Sequence, residues 1–164
     1  MPFLGSCGGC QHAILEYARN VLGLQDAEHA ESHPEASLTL IAPLACALVE
    51  TSAPIHLEPG TRVREIYGKN RIEEGYHCSF GLNRDLEYLL AGSELKISGR
   101  DPGGEARALE LVGRPFFLLT QFQPERRALA GSVPPVAAAF LEAAGSRAGV
   151  VSQARPRKPG GDAR

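Results

Sequence analysis

The sequence predicts an α/β fold in a single domain, and three observations carry that prediction. The chain opens with a short apolar run, a glycine-rich turn and then a helical period. Strand-like apolar segments next alternate with loops rich in Pro and Gly, and an alanine-rich helical stretch closes the apolar part of the sequence. With 164 residues and 43% apolar content, the chain can bury one hydrophobic core.

Taken in order, Pro2 to Leu4 reads as a strand, and from Gly8 onward Cys10, Ile14, Tyr17 and Val21 recur at helical spacing. Gly23 is placed to end that helix, because glycine takes the left-handed conformation of a C-cap at little cost. His29 to Ser37 is polar, contains Pro34 and reads as a loop before a strand at Leu38 to Ile41. Pro54 to Leu57 suggests another strand, Pro59-Gly60 a turn, and Thr61 the N-cap of a short helix through Tyr67. Arg71 to Phe80 returns as a strand, and Asp85 to Leu90 forms a short helix. Glu94 to Ser98, Ala106 to Leu111 and Phe116 to Gln121 form a small antiparallel run, separated by Asp101-Pro102-Gly103-Gly104 and Gly113-Arg114-Pro115. Pro134 and Pro135 mark the start of a helix over Val136 to Ala144. The domain is therefore expected over 1–145, with 146–164 a disordered basic tail too poor in apolar residues to fold.

Charge narrows the partners. Seventeen basic residues face nineteen acidic ones, with no basic stretch interleaved with aromatics, so neither nucleic acid nor a membrane surface is implied and a small molecule or protein fits better. No apolar run reaches the roughly 18 residues of a membrane span, and the N-terminus lacks the pattern of a signal peptide, which suggests a cytoplasmic protein. In that compartment Cys7, Cys10, Cys46 and Cys78 are expected to be reduced, catalytic or metal-binding rather than a disulfide framework.

The stretch "FLGSCGGCQ", Phe3 to Gln11, concentrates the chemistry. Gly5-Ser6-Cys7-Gly8-Gly9 fits a nucleophile elbow, G-x-C-x-G between strand and helix, with glycines wherever neighbouring side chains would collide in a strained turn. At a helix N-terminus Cys7 would be favoured as thiolate. Cys7 and Cys10 also form a C-x-x-C pair, whose spacing suits a reversible disulfide. A zinc site from Cys7, Cys10, His77 and Cys78 is the weakest of the three readings, since a second C-x-x-C is absent; no metal or cofactor is expected. The plain alternatives are that Cys7 packs under its glycine turn and that Cys10 fills a core slot.

"PFLGSCGGCQHAILEYARNVLGLQDAEHAE" and "PFFLLTQFQPE", Pro115 to Glu125, resemble in order the nucleophile segment and the final Q-F-H-P-E strand of the C-terminal class I glutamine amidotransferase domain of CTP synthase. The resemblance spans roughly Pro2 to Ala144, tight at the front and loose in the middle. It implies a flavodoxin-like fold with a mostly parallel sheet, a small antiparallel β appendage and bound glutamine or a related small molecule. Cys7 then matches the glutaminase nucleophile and Glu125 the acid that orients its histidine. Gly9, Gln11 and Glu31 match positions that contact substrate.

Departures from the pattern matter as much. Gln123 stands where the catalytic histidine belongs, and a carboxamide cannot take a proton near neutral pH. Neither His12 nor His77 is an evident replacement. Proton transfers worth roughly 10²- to 10⁴-fold each are lost without a base. In "YHCSFGLN", Tyr76 to Asn83, Ser79 or a neighbour replaces the arginine that clamps the glutamine carboxylate. Neither a synthetase domain nor a P-loop is present, so this chain would not make CTP alone. The chain begins at the nucleophile strand, so an N-terminally truncated domain is expected, from a late start or completed by another chain, a homo-oligomer included.

Cys10 takes the place of a methionine in the family pattern, and in this the chain resembles most the CTP synthase C-terminal region-related (seleno)proteins, in which the second cysteine position can carry selenocysteine. The expected function is a CTP synthase-related amidotransferase-like protein with impaired glutaminase activity. A thiol redox protein using Cys7 and Cys10 and a noncatalytic glutamine-sensing or interaction module are the alternatives.

Overall fold

In the computed structural model, which describes residues 1–147, strand β1 (Phe3–Ser6) runs directly into helix α1 (Gly8–Asn20), with Cys7 as the single residue between them. The chain continues through β2 (Ala27–His29), β3 (Leu38–Leu57), α2 (Arg62–Tyr67), β4 (Arg71–Leu82) and a 3-10 helix (Arg84–Leu90). Then come β5 (Leu95–Arg100), β6 (Ala106–Leu111), β7 (Phe117–Thr120), α3 (Pro124–Leu129) and α4 (Pro135–Arg147). The basic tail expected from residue 146 lies outside the described residues, apart from its first two positions, which continue α4.

The described strands form one seven-stranded sheet in the order β1-β7-β6-β5-β3-β2, with β4 also paired to β3. Its layering is the expected flavodoxin-like α/β arrangement. Ile14, Leu15 and Ala18 of α1 pack with Leu40, Leu109 and Leu119 on one side of the sheet. On the other, Val63 of α2 and Val136 of α4 pack with Ile55, Leu118 and Phe122. The pairings β1/β7 and β2/β3 are parallel, whereas β3/β4, β3/β5, β5/β6 and β6/β7 are antiparallel, so the sheet is mixed. The antiparallel run expected as an appendage is continuous with the main sheet. Its residues account for this: Ala108 and Leu109, like Leu118 and Leu119, are buried on opposite faces, so both faces need a covering layer.

Three local expectations shift. The two strands foreseen at Leu38 to Ile41 and Pro54 to Leu57 are one strand of 20 residues, β3, which passes Pro43 and Pro54 and absorbs irregularities in register shifts between Pro43 and Leu48 and between Val49 and Thr51. Helix α1 stops at Asn20; Val21 caps it through its N–H to Tyr17 O and is 63% exposed, outside the apolar face, while Gly23 adopts φ 74° beyond the cap. Gln11 joins the buried face instead. Helix α3, directly after the last strand, was not foreseen. It is tied to β4 by Arg127, whose guanidinium meets the buried Glu74 carboxylate at 2.6 Å while Tyr67 donates to the same oxygen at 2.8 Å.

No helix of the described residues is long and apolar enough to cross a membrane. β1 occupies a sheet edge, where Phe3, 37% exposed, stacks on Phe117 with ring centroids 4.7 Å apart. Of the glycines around Cys7, only Gly5 is sterically required. A Cβ there would lie 3.0 Å from Gly9 O and 3.1 Å from the Phe3 ring, whereas at Gly8 and Gly9 it would meet nothing within 4 Å. Gly5→Ala is therefore expected to lower unfolding stability by about 1–3 kcal/mol through overpacking. Gly8→Ala, inside the first turn of α1, should leave it unchanged or raise it by up to about 1 kcal/mol. Urea titrations of the two variants check the contrast, and equal losses would contradict it.

Candidate active site

Cys7 sits where β1 gives way to α1, with a φ of 46° and a ψ of −114°. Its N–H donates to Thr120 O at 2.8 Å, extending the β1/β7 ladder by one bond, and its carbonyl accepts from Gln11 N at 3.1 Å to begin the helix. Only two non-glycine residues of the described chain have positive φ, Cys7 and Glu50 at φ 48°. Such backbone costs about 1–3 kcal/mol per residue and persists where the surroundings impose it. Here both strained residues flank the same part of β4, at His77.

The Cys7 sulfur is half-buried and lies 3.8 Å from His77 O. Its pKa is lowered to about 6. The largest cause is hydrogen bonding by the adjacent Cys78 thiol; burial opposes it, the Gly8 N–H supports it, the Glu125 carboxylate opposes it and His77 contributes least. At pH 7 the thiolate form of Cys7 is thus favoured. Cys78 is 4% exposed, its sulfur lies 3.3 Å from Gln121 O, and it is pushed well above the ordinary thiol range, first by its contact with Cys7 and then by burial. Cys10 has no exposed surface; burial drives its pKa upward, with the Cys7 charge adding to the effect. It packs among the residues under α1, facing away from solvent. Among the described residues no cluster of three or more His, Cys, Asp or Glu side chains is arranged to hold a metal ion.

Gln123 follows β7, half-buried, its N–H donating to Gly75 O at 2.9 Å; its carboxamide makes no hydrogen bond among the described residues. Glu125 is exposed in the first turn of α3, near enough to Cys7 for its charge to be felt there. Cys7 and Glu125, the residues matched to nucleophile and acid, thus lie within electrostatic reach of each other, with Gln123 in place of an imidazole. A different histidine–carboxylate pair stands on the rim. His77 Nδ1 lies 2.7 Å from Glu50 Oε1, and the other Glu50 oxygen contacts Arg126. Those two partners, Arg126 first, hold the Glu50 carboxyl below its ordinary range. His77 and Cys78 alternate along β4, so the imidazole is exposed while the thiol is turned inward.

The residues matched to substrate contacts are differently placed. Gln11 is 6% exposed and spends its amide inside the protein: Nε2 donates to Phe80 O at 2.7 Å, and Oε1 lies 3.0 Å from His29 Nε2. Gln121 Nε2 donates to the same Phe80 carbonyl at 2.7 Å. Glu31 N–H donates to His29 Nδ1 at 3.1 Å, which fixes Nε2 as the protonated nitrogen facing Gln11. Burial lowers the His29 pKa, consistent with that neutral ring. Gly9, Glu31 and Ser79 are exposed. Sequence reasoning named Cys78 only as a metal ligand and did not find Glu50, Arg126 or His29. Only the register of β4 against β3, together with the contact of Cys78 with Gln121 O just after β7, brings Glu50 and Cys78 near the elbow.

No protein-family model matches the chain. Curated CTP synthases do. Those of Carboxydothermus hydrogenoformans and Staphylococcus carnosus are 33% and 35% identical over 153 and 156 residues, covering 87% and 88% of this chain and 29% of each relative. That of Methanothrix thermoacetophila is 34% identical over 151 residues, 87% of this chain and 28% of its own. The chain therefore spans less than a third of the length of these relatives. Among solved structures, the Trypanosoma brucei CTP synthase glutaminase domain with bound acivicin superposes with a TM-score of 0.81 at 25% identity, covering 88% of this chain and 60% of that one. A GMP synthase-type protein of Thermoplasma acidophilum, TM-score 0.59 at 13% identity over 93% of this chain and 61% of that one, shares the fold. Taken with the Cys7 elbow and the β1/β7 pairing beneath it, these matches make the chain a homologue of the glutaminase, or class I glutamine amidotransferase, domain of CTP synthase.

Proposed function

We propose that this chain is a CTP synthase-related amidotransferase-like protein in which glutamine hydrolysis is impaired and Cys7 is kept as a reactive thiolate. The observation that carries this reading is the pairing of an activated Cys7 with Gln123 in place of an imidazole. In glutamine hydrolysis the thiolate attacks the side-chain carbonyl and a protonated base then delivers a proton to the leaving ammonia. Cys7 can perform the first step, since its sulfur is ionised without a base. Gln123 can perform no part of the second, because a carboxamide has no proton to exchange near neutral pH. Substrate binding is weakened as well. Ser79 cannot replace a bidentate guanidinium on the amino-acid carboxylate, and the buried Gln11 amide is already paired at both ends. The (seleno)protein-type resemblance at Cys10 fits the same reading, in which sulfur chemistry outlasts acyl transfer.

Two outcomes test it. The alkylation rate of Cys7 by iodoacetamide is expected to rise with pH around a midpoint near 6 and level off above about 7, because the thiolate is the nucleophile. A midpoint near the ordinary thiol value of about 8.5 would contradict an activated Cys7. Ammonia release from glutamine should be indistinguishable between the natural protein and Cys7→Ala. The double variant Gln123→His with Ser79→Arg is expected to exceed both by at least about tenfold, as one restored proton transfer is worth 10² or more. Steady Cys7-dependent turnover in the natural protein would refute impaired hydrolysis.

A further inference from the structure

We propose that Cys7 and Cys78 form a reversible disulfide by exchange with a low-molecular-weight disulfide, Cys7 attacking and Cys78 resolving. The inference rests on the reactive-thiolate reading of Cys7 and extends it by assigning the second sulfur.

The geometry begins with two adjacent carbonyls at the end of β7. Thr120 O holds the Cys7 amide at 2.8 Å, and Gln121 O lies 3.3 Å from the Cys78 sulfur. One strand end therefore positions both cysteines. From the other direction, the Cys7 sulfur lies 3.8 Å from His77 O, the carbonyl of the peptide that leads into Cys78. The two side chains are neighbours, and each is the largest single influence on the other's ionisation. They come from elements 71 residues apart, 78 minus 7, so a bond between them joins β4 to the β1–α1 junction.

The chemistry favours Cys78 over Cys10 as the resolving group. Cys7, half-buried and ionised, attacks one sulfur of the external disulfide, forming a mixed disulfide and expelling one small thiolate. Cys7 then carries no charge. The chief cause that raises Cys78 is its contact with the Cys7 sulfur, and that cause weakens once the anion is gone. Cys78 then loses its proton to solvent or to the expelled thiolate, and its sulfur attacks Cys7 Sγ, displacing the second small thiolate. Two protein thiols have been oxidised by two electrons and one small disulfide reduced to two thiols. For Cys10 the chief cause is burial with no exposed surface, which the mixed disulfide does not relieve. Cys10 also points into the packed layer beneath α1, so the two sulfurs of the C-x-x-C pair face different surroundings.

The full chain is equilibrated with mixtures of reduced and oxidised glutathione, quenched with acid and N-ethylmaleimide, and read by intact mass and by mapping of disulfide-linked peptides. The expected oxidised species is lighter by two hydrogens and links the peptide containing Cys7 to the one containing Cys78. Cys10→Ala should retain that link. Cys78→Ala should accumulate the Cys7–glutathione mixed disulfide at least about tenfold over the natural protein, since the resolving thiol is gone. Mapping of the natural protein needs no variant to fold. A Cys7–Cys10 or Cys7–Cys46 link overturns the proposal, as does a natural protein that stops at the mixed disulfide. Those results leave the reactive thiolate intact. Cys7 that resists both glutathione and iodoacetamide overturns that reading and this proposal together.

Discussion

The hydrogen bond from the Cys7 amide to Thr120 O is the constraint from which the site is built. It forces the chain to follow the β1/β7 ladder one residue past the strand and to turn into a helix at once, which is possible only with the φ of 46° that Cys7 adopts. Gly5 accepts the resulting contact with Gly9, where a larger residue would strike backbone. Everything reactive about Cys7 follows: the sulfur projects from the turn, the Gly8 N–H faces it, and β4 passes beside it.

A second constraint runs through Phe80. Its β3 register partner is Pro43, which has no N–H to give, and its carbonyl instead receives the side-chain amides of Gln11 and Gln121. Two carboxamides thereby fasten α1 and the residues after β7 to the same point on β4. The arrangement explains why a buried glutamine on α1 is tolerated, since each polar atom of its amide is satisfied. It also explains why an amide that reads from the motif as a substrate contact is occupied within the fold.

How much of this the sequence disclosed varied with the range of the interaction. The strand–turn–helix at the front was legible because Gly5, Cys7 and the spacing of Cys10 and Ile14 are local signals. Helix α2 was legible from Thr61 and the Pro59-Gly60 turn, and its observed range begins directly after Thr61. The C-terminal face of α1 was misjudged, because apolar Val21 fits the period although the helix has already ended. β3 was split by its prolines, whose tolerance depends on register shifts against β4 that no local pattern encodes. At the site, Cys7, Gln123 and Glu125 could be named from two short motifs. The Cys78 contact and the Glu50–His77–Arg126 cluster could not, since they depend on the long-range pairing of β3 with β4, with its irregularity at Glu50, and on contacts with the residues after β7.

The pairing of β1 with β7 has a consequence for the order of events during folding. Phe3 is in register with Phe117, 114 positions further on by subtraction, so the ladder that strains Cys7 is among the most non-local contacts in the chain. Loop closure over such a span is entropically expensive and tends to follow the formation of nearer contacts such as the β5/β6 and β6/β7 hairpins. Before that closure Cys7 lies in an ordinary flexible segment, with no Cys78 beside it and no fixed helix N-terminus, and has the sluggish reactivity of an unperturbed thiol. The activated sulfur is thus a property of the completed topology, acquired when the beginning of the chain finds a partner translated more than a hundred residues later.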